Sequence, residues 1–247
     1  MYYFYNSGKS FYVYCVIINI FEHLGEANML TIHDIRQNEE IKCLVSTADR
    51  QLKAMGYTEH SYRHLTHVAK NAGMILSELG YDKRDIELAE IAGYLHDIGN
   101  AINRVDHAHS SAIMAYQILM RMGMPCPEVC EIMLAIGNHD ENSGTAVSNI
   151  SAALILADKS DVHRSRVQNT DFATFDIHDR VNYAVESSVL KVDKHTKSAT
   201  LSLHIDTDIC PVMDYFEIFL TRMTMCRRAA AFLKLDFQLV INENRLL

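Results

Sequence analysis

The 247-residue chain is 49% hydrophobic and 22% charged, the proportions of a folded globular protein with one large domain or a medium domain and an appendage. Its 23 basic and 31 acidic residues give a net charge of −8 with no basic block, which argues against a groove that tracks nucleic-acid phosphates. Ten glycines and three prolines amount to about half of average usage, so the chain reads as mostly helical.

Residues 1–24 are dense in Tyr, Phe and Ile. The uncharged run Ser10–Phe21 is too short to span a bilayer, and no small-residue cleavage site follows Lys9 and its apolar stretch. The string Gly25-Glu26-Ala27-Asn28-Met29 is what a ribosome-binding sequence ahead of a start codon would spell, so residues 1–28 read as a non-structural extension and Met29 as the start. From Thr31, residues Ile41, Leu44, Val45, Ala48, Leu52 and Met55 recur at helical spacing up to Gly56. A second helix from Ser61 to Gly80 carries His64, Val68, Ala72, Ile75 and Leu79 on one stripe. A third, Arg84–Ile98, is apolar nearly all round and is expected to be the buried central helix.

Helices at His107–Met122 and Glu128–Ile136, a loop at Glu141–Val147 and a sixth helix at Asn149–His163 follow. The sixth places Ile150, Ala153, Leu154, Ala157, Asp158 and Asp161 on one face, so two carboxylates point at the core. Beyond Arg166, residues Asn182–Val192 and Ala199–Ile205 alternate as a hairpin. A helix from Pro211 to Leu235 and a strand at Phe237–Ile241 complete a small α+β appendage, residues 180–247, behind a helical domain at 29–179.

Eight of the thirteen histidines fall between His60 and His163, and His-Asp occurs four times against about one expected by chance. The six cysteines form no CxxC, and Cys126 and Cys130 lack a second pair for zinc, so reduced thiols and a cytoplasmic location are expected. His33-Asp34 and His178-Asp179 lie in polar surroundings and are expected at the surface. His96-Asp97 ends the most apolar helix, and Asp158 follows Ala-Ala-Leu-Ile-Leu-Ala. A carboxylate entering a core must be paired or bind a metal; for Asp158 the competing reading is a buried Lys or Arg partner. With His64, His107 and His139, several helices each offer one imidazole or carboxylate, which is how helical proteins assemble metal sites.

The contexts HLTHVAKNA, AGYLHDIGN and AALILADKSD resemble the HD superfamily of metal-dependent phosphohydrolases over roughly residues 58–167. That resemblance implies an HD-domain helical bundle. It also implies a first metal held by His64, His96, Asp97 and Asp158, with Asp97 bridging to a second. The strings DHAHSSA and IGNHDENSG match the remaining ligands through His107 and His139; His107 is preferred to His109 because the family favours a small residue four positions later, here Ser111. Two departures stand out. The Gly-Tyr-Pro element of the members that cleave cyclic dinucleotides is missing, and Asn100 stands where many members have Lys.

Such a donor set suits two divalent ions drawn from Mn, Fe, Co, Ni or Zn, with Mg less favoured. The expected activity is hydrolysis of a phosphoester in a nucleotide or related small phosphorylated substrate by metal-activated water. Asp97 and Lys159 are the catalytic candidates, and Arg104 and Arg164 the substrate-binding ones. No nucleic-acid polymer and no membrane is expected as partner, and self-association is left open. The rival readings are a di-iron oxygenase of the same superfamily and a non-catalytic, metal-stabilised ligand-binding module.

Overall fold

The computed structural model describes residues 29–247, and the expectations for residues 1–28 lie outside them. Thr31 opens α1 (Ile32–Gln37) with a capping box shared with Asp34. The single helix predicted from Thr31 is two, because Asn38 leaves the helical conformation (φ −68°, ψ 122°) and caps α2 (Glu39–Ala54) by accepting from the Ile41 amide. Ser61 and Gly80 bound α3 (Tyr62–Leu79) as predicted, Gly80 taking the left-handed φ of 82° that closes the helix.

α4 (Lys83–Leu95) ends three residues short of the predicted Ile98. His96 and Asp97 leave the helix, and a 3₁₀ turn follows at Ile98–Ala101. Packing imposes this ending. The Gly99 backbone presses against the first turn of α5 (His107–Arg121), so close that a Cβ there would fall on the His107 carbonyl and the Ser111 amide. The Gly99 amide donates to Ser111 Oγ at 2.7 Å, a structural use for the small residue four positions after His107. After α6 (Cys126–Gly137), α7 (Asn149–Lys159) also stops before the predicted His163, so Asp161 belongs to the turn beyond it.

Two 3₁₀ turns, Arg164–Arg166 and Phe172–Thr174, lead to α8 (Ile177–Ala184), a helix the alternation analysis missed. The domain boundary expected at 179/180 falls inside it. The hairpin follows as β1 (Val185–Asp193) and β2 (Ser198–Ile205), then α9 (Val212–Phe232), β3 (Asp236–Ile241) and β4 (Asn244–Arg245). The sheet order is β1-β2-β3-β4, with β2 and β3 parallel and the other pairs antiparallel. α9 is the crossover that a parallel pair requires.

The chain is thus mainly helical, with nine α-helices among the described residues and a small C-terminal sheet. One hydrophobic core runs from Ile35 to Ile241 across both parts. α9 packs on α7, so every residue of α7 from Ile150 to Lys159 is buried. Among the described residues no helix is long and apolar enough to cross a membrane.

Candidate metal centre

Five histidines converge from five places in the chain. His60 precedes α3, His64 sits in its first turn, His96 follows α4, His107 opens α5 and His139 follows α6. All are buried, His64 and His96 completely. Each has its Nδ1 against an acceptor: Thr58 O at 2.6 Å, Asp161 Oδ2 at 2.7 Å, Gly93 O at 2.8 Å, Arg104 O at 3.0 Å and Ile136 O at 2.6 Å, in that order. Those acceptors take the Nδ1 proton and turn Nε2 inward, the orientation of metal-binding imidazoles.

Two carboxylates complete the cluster. Asp97 Oδ2 lies 3.2 Å from His96 Nε2 and 3.7 Å from His64 Nε2, while Oδ1 lies 3.4 Å from His107 Nε2 and 3.8 Å from His139 Nε2. Asp158 Oδ1 is 3.4 Å from His64 Nε2 and 3.6 Å from His96 Nε2. Two ligand groups result, His64/His96/Asp158 and His96/Asp97/His139, each with donor atoms within 4.8 Å of one another. His64 and His96 bring their Nε2 atoms to 3.4 Å, and His107 and His139 to 3.2 Å. Nitrogens that face each other at that range share a proton or a metal ion.

The electrostatics call for the same positive charge. Burial pushes His60, His107 and His139 below the ordinary imidazole range, helped by neighbouring cations, so these rings are held neutral as ligands must be. At His96 burial acts the same way, but Asp97 and Asp158 outweigh it and raise the imidazole to about 10. Burial also opposes charge on Asp97 and Asp158. For Asp97 the neighbouring His96 and His60, and for Asp158 the neighbouring Lys159 together with hydrogen bonds from His64 and His96, hold the carboxyls well below the usual range. The carboxylates therefore attract a cation to the point where the imidazoles meet, and a divalent ion fits that donor set.

Around this centre the candidates separate. Asp158 faces two ways: the expected buried cation is there, Lys159 at 2.7 Å from Oδ2, while Oδ1 faces the imidazoles. Lys159 also meets Glu141 at 2.7 Å, and Glu141 lies 3.5 Å from Arg222 of α9. Lys159 is thereby enclosed in an ion network behind the ligands. Asn100 donates to Asp97 Oδ1 at 2.9 Å and to its carbonyl at 3.0 Å, so the amide fixes the Asp97 carboxylate. Arg104 comes within 3.9 Å of Asp97 Oδ1 and lines the cleft outside the cluster. Arg164 is elsewhere, bonded to Glu186 at 3.0 Å and stacked over Tyr183. It does not line the cleft. His109 points outward with its side chain 57% exposed.

Three features escaped the sequence reading. His60 sits 3.8 Å from Asp97, but lies ahead of the helix and off any periodic stripe. Asp161 was visible as a core-facing carboxylate, yet not as the partner of His64 and of Arg63 at 3.1 Å. Asp179 is buried rather than surface-exposed, because α8 packs against α9 and the Arg164–Arg166 turn, and it lines a cleft of about 380 Å³. That cleft opens between Arg104, Glu141 and His60 on one side and α8 and α9 on the other. A second opening of about 350 Å³ shares Arg104 and Glu141 and is lined by His107.

Residues 61–164 match the HD domain family model. The chain belongs to the HD superfamily. Within it, the chain is 37% identical over 106 residues to Ribonuclease Y of Lawsonia intracellularis, covering 42% of this chain and 18% of that one. It is 30% identical over 141 residues to Ribonuclease Y of Mycoplasma mycoides, covering 57% and 31%. A predicted HD superfamily hydrolase from an uncultured Thermotogales bacterium, known as a crystal structure, is 31% identical with a TM-score of 0.40, covering 50% of this chain and 67% of that one. The chain thus spans less than a third of these two curated relatives. The matched HD segment holds His64 through Asp158 but excludes His60 and the whole α8–α9 side of the cleft.

Proposed function

We propose that this HD-domain protein is a metal-dependent phosphohydrolase that cleaves a phosphoester in a small phosphorylated substrate. The observation that carries the reading is Asp97, whose two oxygens face two different histidine groups while every facing ring is fixed through Nδ1. Divalent ions held by His64, His96, Asp97, Asp158, His107 and His139 would supply an acidified water as nucleophile and positive charge to the phosphoryl oxygens.

The remaining work falls to the chain itself. Asn100 holds Asp97 in register, and Asp161 does the same for His64. Lys159 neutralises the outer oxygen of Asp158, so the buried carboxylate stays ionised and turned inward. The Arg104 guanidinium, at the cleft side of Asp97, receives the phosphoryl group and offsets its charge. The net charge of −8 supports a small substrate over a polymer, and the kinship with proteins named Ribonuclease Y makes an oligoribonucleotide the necessary control.

The test is a panel of phosphomonoesters, phosphodiesters and a short oligoribonucleotide, offered to protein reconstituted separately with Mn, Fe, Co, Ni, Zn or Mg, in air and under argon. Phosphate release without oxygen is the expected result. Turnover that requires oxygen would establish the di-iron oxygenase instead. No turnover with any metal would leave the ligand-binding module.

A further inference from the structure

One sequence motif takes no part in the histidine cluster. Cys126 and Cys130 stand four residues apart on α6, both exposed, with their Sγ atoms 4.0 Å apart. Residues four apart share one helix face, the spacing by which a helix offers two side chains to a single zinc ion. Val129, Ile132, Ala135 and Ile136 bury the other face of α6 in the core, so the two thiols are held outward on a fixed helix. Their separation decides what they can do. Two thiolates on a tetrahedral zinc, each at about 2.3 Å, lie about 3.8 Å apart, close to the observed spacing with the helix intact. A disulfide instead needs Cβ atoms about 3.5–4.5 Å apart, whereas those four apart on a helix are separated by about 5–6 Å. Closing one would unwind the turn in which the Glu128 and Val129 amides donate to the Pro125 carbonyl at 3.0 and 3.1 Å. The geometry favours an ion.

One chain supplies only half of such a site, because a structural zinc takes four protein ligands. Glu128, in the same turn, is turned to Arg84, whose Nε it meets at 2.8 Å. Among the described residues, the groups of three or more His, Cys, Asp or Glu donors lying within 4.8 Å of one another both belong to the histidine cluster. A second copy of the chain carries the missing pair, and a two-fold axis through the ion brings it to the opposite side. The paired helices α5 and α6 also leave apolar side chains for such a partner. Leu134, 37% exposed, continues the Cys126–Cys130 stripe, and Ile113 and Met120 stand 58% and 39% exposed on one stripe of α5.

We propose that Cys126 and Cys130 form half of a four-thiolate zinc site, completed by the same two residues of a second copy, so that zinc holds this protein as a dimer. Binding displaces the thiol protons, since thiolate is the ligand. The 12 residues of α6 place this site about 18 Å along the helix from His139, so it is separate from the histidine cluster and does not depend on the phosphohydrolase reading.

The test is sedimentation velocity and elemental analysis of the full chain, reduced, stripped with chelator, and then given zinc or buffer alone. The parent is expected to be a monomer without zinc and a dimer with it. Cys126→Ser and Cys130→Ser are each expected to stay monomeric and to carry about half an ion per chain less than the parent, the share of one four-ligand ion divided between two chains. Cys43→Ser, at an exposed cysteine of α2, is expected to behave as the parent. Both test substitutions fall on exposed side chains, and a thermal melt without zinc checks that the fold persists. Cobalt(II) in place of zinc gives a readout blind to the histidine cluster. Thiolate ligands produce a near-ultraviolet charge-transfer absorption that imidazoles and carboxylates do not, and it is expected to vanish in both variants. An oligomeric state indifferent to zinc, equal metal content in parent and variants, or a full ion per chain held by a monomeric parent through these thiols overturns the proposal. So does a Cys126–Cys130 disulfide mapped by mass spectrometry in the zinc-treated protein, which would make the pair a redox element instead.

Discussion

Asp97 concentrates the proposed chemistry in one side chain, because Oδ2 faces His60, His64 and His96 while Oδ1 faces His107 and His139. Asp97→Ala is therefore expected to lose both bound metal and turnover, read by elemental analysis and phosphate release. His107→Ala should lower the metal content by the second ion alone. His109→Ala should leave it unchanged, since that ring points outward from α5; equal losses in the two variants would show that the wrong histidine had been assigned. Asp161 touches no proposed ion but holds His64 by its Nδ1. Asp161→Asn is expected to weaken metal affinity about 10- to 100-fold in a chelator competition, the usual worth of a group that orients a ligand. An unchanged affinity would mean that Asp161 serves only its ion pair with Arg63.

At the level of the elements, the site depends on where helices stop. α4 must end at Leu95 for His96 and Asp97 to turn into the cluster, and the close approach of Gly99 to the start of α5 enforces that ending. Gly99→Ala is expected to destabilise the chain by about 2–3 kcal/mol in urea unfolding, because a methyl group there forces α5 and the 3₁₀ turn apart. A change within about 0.5 kcal/mol would mean that the junction yields easily. Lys159 links α7 to the α6–α7 loop and α9 through Asp158, Glu141 and Arg222. Lys159→Met leaves buried Asp158 and half-buried Glu141 without their shared cation, and a loss of about 3 kcal/mol is expected. Stability equal to the parent would show that water or Arg222 replaces the lysine.

Over the whole molecule, the proposed ligands come from α3, α5, α7 and the turns after α4 and α6, so binding of a metal would be tied to folding. A divalent ion at a hundred times its dissociation constant is expected to add about 2.7 kcal/mol, and its removal by chelator to lower the melting temperature by about 5–10 °C for a chain of this size. A melting curve indifferent to chelator would argue that the cluster holds no ion in solution. The continuous core also makes the C-terminal part integral, since α9 covers α7 and Arg222 meets the ion network behind Asp158.

Much of this arrangement was legible because it rests on local rules. Caps at Ser61 and Gly80, the hairpin turn at residues 193–197 and the apolar stripes marked most of the elements. His96, Asp97 and Asp158 betrayed themselves as polar residues at the ends of apolar runs, where burial demands a partner. Tertiary structure decided most of the rest. Asn38 breaks one helix into two by a local N-cap that the apolar stripe hid, whereas α4 ending at Leu95 is a response to a neighbour that no local pattern contains. His60 carries no periodic signal, Arg164 and Arg104 look equivalent until one is drawn outside and the other to the cleft, and Asp179 looks like a surface residue until α8 buries it. Sequence periodicity reports which face of an element is apolar, whereas a site is assembled from side chains whose meeting depends on how those faces pack.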